Sequence, residues 1–161
     1  MLTIDKVDDV QEMKDTQKAF DILLFTKEQQ LDLFKITAAV MHWGNQKWKQ
    51  KPREEQAEAD GTDDVTKVGT LLGVDVDPFI AGLLKPRIKV GKEFVNKGQN
   101  QAQVTNACAA LSKAMYARAF YWLVVKCNET LDVKGIKRVY FIGVLDIAGF
   151  ETFEVCFLIL I

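Results

Sequence analysis

Apolar residues recur at helical spacing through the first 45 positions, and only later does the chain change period. Asp9, with Glu12 three places on, reads as a helix start, and Val10, Met13 and Phe20 share one face before Asp21 to Phe25. Thr26 and Gln29 have the spacing of a capping box. Leu31, Phe34, Ala38 and Met41 then keep a helical period while Leu33, Ile36 and Val40 fill a second face. This helix is expected to be buried on most sides and to stop at Trp43-Gly44-Asn45. Two short helices follow. One runs from Thr62 through Val65, Val68 and Leu72 to Gly73, and the other starts at Asp77 with Pro78 in the first helical position and ends before Lys85-Pro86.

From Arg87 the period becomes two. Ile88 and Val90 alternate with Arg87 and Lys89, Gly91-Lys92 suits a two-residue turn with glycine first, and Phe94 to Asn96 can return as the second strand of a hairpin. Asn100, with Gln103 in the third position, then caps a long helix. Its apolar positions Val104, Cys108, Leu111, Met115, Trp122 and Val125 predict that it continues to about Asn128. Val139 to Ile147 is an apolar run without alternation, the pattern of a strand buried on both faces. One such strand lacks partners: either Trp48 and its neighbours supply an edge, or the sheet lies largely outside this chain. The expected class is mainly α with a small β component.

The 161 residues are 48% apolar and 27% charged, enough for one domain with a core. Lys and Arg number 21 against 22 acidic residues, so no overall field draws the chain to nucleic acid or a membrane. Any electrostatic partner must be met by a local patch. Charge is concentrated between Lys47 and Asp64, which reads as a solvated surface loop. Three cysteines (Cys108, Cys127 and Cys156) and a single histidine, His42, exclude a disulfide scaffold and a Cys/His zinc site, and fit a reducing compartment. Cys108 and Cys127 are expected as core thiols and His42 as a helix-end histidine. The apolar run Val155 to Ile161, seven residues, is far short of the roughly 20 residues of a membrane span. Met1 to Val10 is too acidic for a signal peptide.

Two constellations could carry chemistry. Asp146-Ile147-Ala148-Gly149 has the form DxxG. An Asp at a strand end can hold Mg²⁺ through water, and a Gly N–H can approach a γ-phosphate without a Cβ in the way. The same residues also suit a strand that ends in a solvated Asp and turns at a Gly. No G-x-x-x-x-G-K-[ST] string accompanies them; Gly91-Lys92 lacks the glycine five positions before Gly91. The second constellation is Lys85, Arg87, Lys89, Lys92 and Lys97, opposed only by Glu93. Arg87 and Lys89 point the same way on a strand, so the hairpin could present a cationic face to an acidic protein. Lysines on an edge hairpin also serve simply to prevent aggregation.

Longer strings are more specific. FTKEQQLDLFKITAAVMHWGN, LLKPRIKVGKEFVNKGQNQAQV, YARAFYWLVVKCNETL and YFIGVLDIAGFE, in this order, closely resemble the motor domain of conventional muscle-type (class II) myosin heavy chains, over roughly Leu2 to Phe153. The resemblance implies a part of the α/β, P-loop NTPase-like myosin motor, the 50 kDa region through switch II, at residues 1–153. It implies that Asp146 holds the water shell of Mg²⁺, that the Gly149 N–H senses the γ-phosphate of ATP, and that Glu151 pairs with an Arg of switch I. It also implies that Leu84 to Gly98 is the actin-contacting cardiomyopathy loop, with Lys85, Arg87, Lys89 and Lys92 against actin filaments. Asn100 to Leu131 resembles the long helix between the actin face and switch II.

The parent would be an actin-activated Mg-ATPase of the cytoplasm and cytoskeleton, in a myosin filament or sarcomere. It would have light chains and a second heavy chain as further partners, and no nucleic-acid or membrane partner. This chain alone, without a phosphate loop or switch I in its sequence, is expected to be inactive and to bind neither ATP nor Mg²⁺ tightly. Two departures stand out. Residues 154–161 read Glu154-Val155-Cys156-Phe157-Leu158-Ile159-Leu160-Ile161 where the family continues into a polar relay helix, and Leu24 stands where the family usually has Gly. A Leu there resists positive φ and is expected to alter the helix end.

Overall fold

The computed structural model describes residues 7–132 together with 135, 139, 140, 142 and 143. The elements are α1 (Asp9–Ile22), α2 (Lys27–Asn45), β1 (Trp48–Gln50), β2 (Ala57–Ala59), α3 (Asp63–Leu72), α4 (Val76–Leu84), β3 (Arg87–Val90), β4 (Glu93–Asn96) and α5 (Gln101–Leu131). Helices dominate, and the strands form two separate antiparallel pairs, β1 with β2 and β3 with β4.

Helix ends follow their local chemistry. Thr26 and Asn100 each form a full capping box, with Gln29 and Gln103 respectively. Gly73 ends α3 at φ +67, the left-handed value that costs glycine nothing. The cap of α1 is Asp8 rather than Asp9: its Oδ1 accepts from the N–H groups of Val10 and Gln11. Asp75, not Asp77, precedes α4, which puts Pro78 third in the helix, where its missing N–H would have had no partner.

Leu24 does not alter the helix end. It adopts φ +59. The Phe25 N–H donates to Phe20 O at 2.9 Å and the Leu24 N–H to Asp21 O at 3.1 Å, the paired bonds of a Schellman motif. The rings of Phe20 and Phe25 meet edge-on at 5.0 Å, and Thr130 Oγ1 of α5 donates to Leu23 O at 2.9 Å. Buried Gln30 completes the junction, its Nε2 donating to Asp21 Oδ1 and Phe25 O. Hydrogen bonds from Lys27 and then Gln30 hold the Asp21 carboxyl below its ordinary range.

The core lies where α2, α3 and the N-terminal half of α5 meet. It comprises Ala39, Trp43, Trp48, Ala57, Val65, Val68, Val104 and Cys108. Trp43 is its centre: Nε1 donates to Cys108 O at 3.0 Å, and the ring packs at 5.1 Å from Phe79 and 6.4 Å from Trp48. Gly69 is buried against α4, where a Cβ would stand 2.5 Å from Val76 Cγ2.

Several expectations are corrected. The charged segment from Lys47 to Asp64 is not simply a loop. It folds as the β1–β2 hairpin and the start of α3, because Trp48 and Ala57 face inward and insert into the core while Lys49 pairs outward with Glu58 and Asp60. Trp48 therefore pairs with Ala59 rather than with a distant strand. Helix α2 is buried only at Gln30, Ala39 and Trp43; Leu31 and Met41 are exposed. No residue of α1 is buried, and Trp122 and Val125 on α5 stay partly exposed, Trp122 meeting Phe25 edge-on at 6.0 Å. The described members of the run 139–147 form no strand, and Val139, Tyr140 and Ile142 are exposed. The rest of that run lies outside the described residues.

Candidate functional site

The β3–β4 hairpin projects from the body with all eight strand residues exposed. The register pairs Arg87 with Asn96, Ile88 with Val95, Lys89 with Phe94 and Val90 with Glu93. Opposed residues share a face, so Arg87, Lys89, Phe94 and Asn96 form one side and Ile88, Val90, Val95 and Glu93 the other. Gly91 takes φ +63 in the turn, as a glycine-first turn requires, and puts Lys92 at the tip. Lys85 and Lys97 flank the base.

Two features make this ribbon a directed cationic surface. Among the described residues, none of the five cations is paired with a carboxylate, which is equally true of Lys14, Lys18, Lys47, Lys51, Arg53, Lys113 and Arg118; what sets the hairpin apart is the crowding of five cations between Lys85 and Lys97 against the single carboxylate of Glu93. The Arg87 guanidinium also stacks 4.5 Å above the centroid of the Phe94 ring. That contact stabilises by about 0.5–1 kcal/mol at an exposed site and holds the Arg87 guanidinium beside the ring on the cationic face of the hairpin. Phe94 escaped the sequence reading as a site residue; the two-residue turn, which fixes Lys89 opposite Phe94, was the signal that could have found it.

The base of the hairpin leads directly into α5. Lys97 N–H donates to Pro86 O at 3.0 Å and Gln99 N–H to Leu84 O at 2.9 Å; one residue later the Asn100 capping box begins the helix. At 1.5 Å per residue the 31 residues of α5 form a rod about 46 Å long that starts at the hairpin base. Asp146, Gly149, Glu151 and Cys156 lie outside the described residues. Among those described, no group of three or more His, Cys, Asp or Glu residues could hold a metal ion.

The remaining candidates have structural partners. His42 Nδ1 lies 3.0 Å from Asp64 Oδ1, bridging α2 to α3, with Lys67 on the same oxygen at 3.8 Å. Cys108 is buried, and burial pushes its thiol up to about 11, against a smaller opposing pull from the Trp48 indole. Cys127 is half-buried rather than in the core. No helix among the described residues is long and apolar enough to cross a membrane.

The described residues thus form a mainly helical body that carries an exposed cationic ribbon at the N-terminal end of a long helix. Comparison with known proteins shows which family it comes from. The description "Myosin head (motor domain)" matches residues 1–157. Over 153 residues the chain is 54% identical to Myosin-1 of Caenorhabditis elegans and 53% identical to Myosin-3 of both Caenorhabditis briggsae and Caenorhabditis elegans. Each alignment covers 95% of this chain and 8% of the relative. The chain belongs to the myosin head family. It spans about a twelfth of the length of these relatives.

Proposed function

We propose that this chain is the filament-contacting and switch-linking portion of an actin-based motor, with the β3–β4 hairpin as its actin contact. The observation that carries the reading is the hairpin's exposed cationic face, with Arg87 over the Phe94 ring, on a chain of the myosin head family. Lys85, Arg87, Lys89 and Lys92 meet acidic actin, and α5 couples that contact to Asp146, Gly149 and Glu151. In the whole motor those three form switch II. Asp146 would hold the water shell of Mg²⁺ and the Gly149 N–H would meet the γ-phosphate of ATP; the ion supplies charge neutralisation at the phosphates. Light chains and a second heavy chain belong to the whole motor, as does its place on the cytoskeleton.

Cosedimentation with filamentous actin tests the contact. Binding is expected at low salt, to weaken as ionic strength rises, and to be lost in the triple variant Arg87→Glu, Lys89→Glu, Lys92→Glu. Salt-independent binding, or full binding by the triple variant, would overturn it. The 161-residue chain by itself is expected to turn over no ATP, since its sequence contains no G-x-x-x-x-G-K-[ST] cradle for the phosphates. Measurable turnover by the purified chain would refute this. A second reading, a non-catalytic actin-binding module, rests on the same hairpin and is favoured by its being a complete, exposed element in its own right.

A further inference from the structure

The direction in which the hairpin leaves the body is not set along its strands, since none of their residues is buried. It is set at the base, and the fastening there comes from another part of the chain. Gln56, half-buried in the turn just before the return strand of the first hairpin, directs its Nε2 toward three carbonyl oxygens: Ala57 at 3.1 Å, Leu84 at 3.2 Å and Gln99 at 3.4 Å. Leu84 ends the leg that enters the hairpin and Gln99 lies on the leg that leaves it, so one amide group bridges both legs. The Ala57 N–H adds a further bond to Gln99 O at 2.8 Å. The backbone of Gln56 is itself anchored, since Lys51 N–H donates to its carbonyl at 2.9 Å.

The chemistry selects glutamine. Three acceptors converge, so the group must carry donors, and an amide NH₂ has two. A carboxylate would set like partial charges against one another, asparagine is one methylene shorter, and methionine has no donor. On the far side of the side chain, Oε1 lies over Gly98, where any Cβ would collide with it. Gly98 thus leaves the space through which Gln56 reaches the base.

We propose that Gln56 is the positioning residue of the cationic hairpin: its amide clamps Leu84 and Gln99 together and so fixes the angle at which Arg87, Lys89 and Lys92 are presented. The functional half of this inference rests on the reading of the hairpin as the actin contact; the clamp itself does not. The test uses the whole chain with Gln56→Met, which keeps the bulk and removes the donors, and Gln56→Glu, which adds a repelled charge. Amide exchange is followed residue by residue, and actin cosedimentation is measured across a salt series.

Both variants should quicken exchange at Lys97 and Gln99 about tenfold, the scale of one or two lost hydrogen bonds, while amides at Val104 and Cys108 keep wild-type rates. In Gln56→Met, actin affinity should fall several-fold with an unchanged salt slope, because every cation remains. Unchanged exchange at Lys97 and Gln99 overturns the clamp, and so does equal quickening through α5, which would mark general loosening. Actin binding that stays at the wild-type level while exchange quickens overturns the positioning role. A wild-type chain that does not bind actin overturns the reading of the contact, while the exchange arm still decides the clamp.

Discussion

Leu24 occupies a left-handed backbone position with 72% of its surface exposed, which makes its side chain a cost with little compensating burial. An L-residue with a Cβ in this region loses about 1–2 kcal/mol relative to the right-handed helix. Glycine escapes that cost but gives up about 0.5–1 kcal/mol of extra backbone freedom when it is ordered. Full burial of a leucine stabilises by about 1.5–3 kcal/mol, so the quarter or so buried here is worth about 0.5 kcal/mol. Leu24→Ala keeps the strain and loses the contact, and should destabilise by about 0.5 kcal/mol. Leu24→Gly loses the contact too but sheds the strain, and should come out about 0.75 kcal/mol more stable than the alanine variant, taking mid-range values. At Ala117, exposed within α5, substitution to glycine should have the opposite sign, destabilising by about 0.5–1 kcal/mol. Urea denaturation followed by far-ultraviolet circular dichroism, at constant slope, measures all three. A glycine variant less stable than the alanine variant at position 24 would refute the strain argument.

Further outcomes follow from other parts of the fold. Thr26→Ala and Asn100→Ala each remove a capping box and should cost about 1 kcal/mol by urea midpoint. Val104→Ala, at a fully buried position, should cost about 1.5–3 kcal/mol, whereas Leu31→Ala, at a half-exposed one, should cost well under half the usual buried Leu→Ala penalty. The raised Cys108 thiol keeps its proton in the folded state at pH values where the unfolded chain has lost it. Stability from this group is therefore complete below about pH 9 and declines as pH rises toward 11, by about 2–3 kcal/mol, a decline absent from Cys108→Ala. In a Cys156→Ser background at pH 8, iodoacetamide should label Cys127 well before Cys108; equal rates would contradict the burial of Cys108.

Local chemistry was legible without coordinates. The capping boxes at Thr26 and Asn100, the Gly73 stop, the Gly91-Lys92 turn and the shared face of Arg87 and Lys89 each depend on residues within four positions of one another, and each stands in the structure as read. The four long strings also pointed to the family to which the chain belongs. Burial could not be read the same way. Which side of α2 faces inward is decided by Trp43 reaching Cys108, 65 residues away, and Trp48 counts as core only because α5 lies beneath it. Periodicity supplies apolar candidates for a face, but packing chooses among them: Leu31 and Met41 fit the period and stay exposed, and Trp122 stays partly exposed with Phe25 edge-on against it.

Leu24 shows the limit from the other direction. Intrinsic preference argues against a left-handed leucine, yet two backbone bonds, the Phe20–Phe25 contact and Thr130 of α5 together hold it there. The cationic character of the hairpin was likewise written in its own residues, while the direction it faces was not. That depends on Gln56, 28 residues from Leu84 and 43 from Gln99, whose polar side chain sits in a charged stretch and carries no local pattern. The sequence determined the helices, the β3–β4 hairpin, the two capping boxes and the charge, because those follow from near neighbours, whereas the β1–β2 hairpin needed the core beneath it. Only the tertiary structure decided what is buried, what is strained and how the cationic hairpin is fastened at its base, because those depend on groups that folding alone brings together.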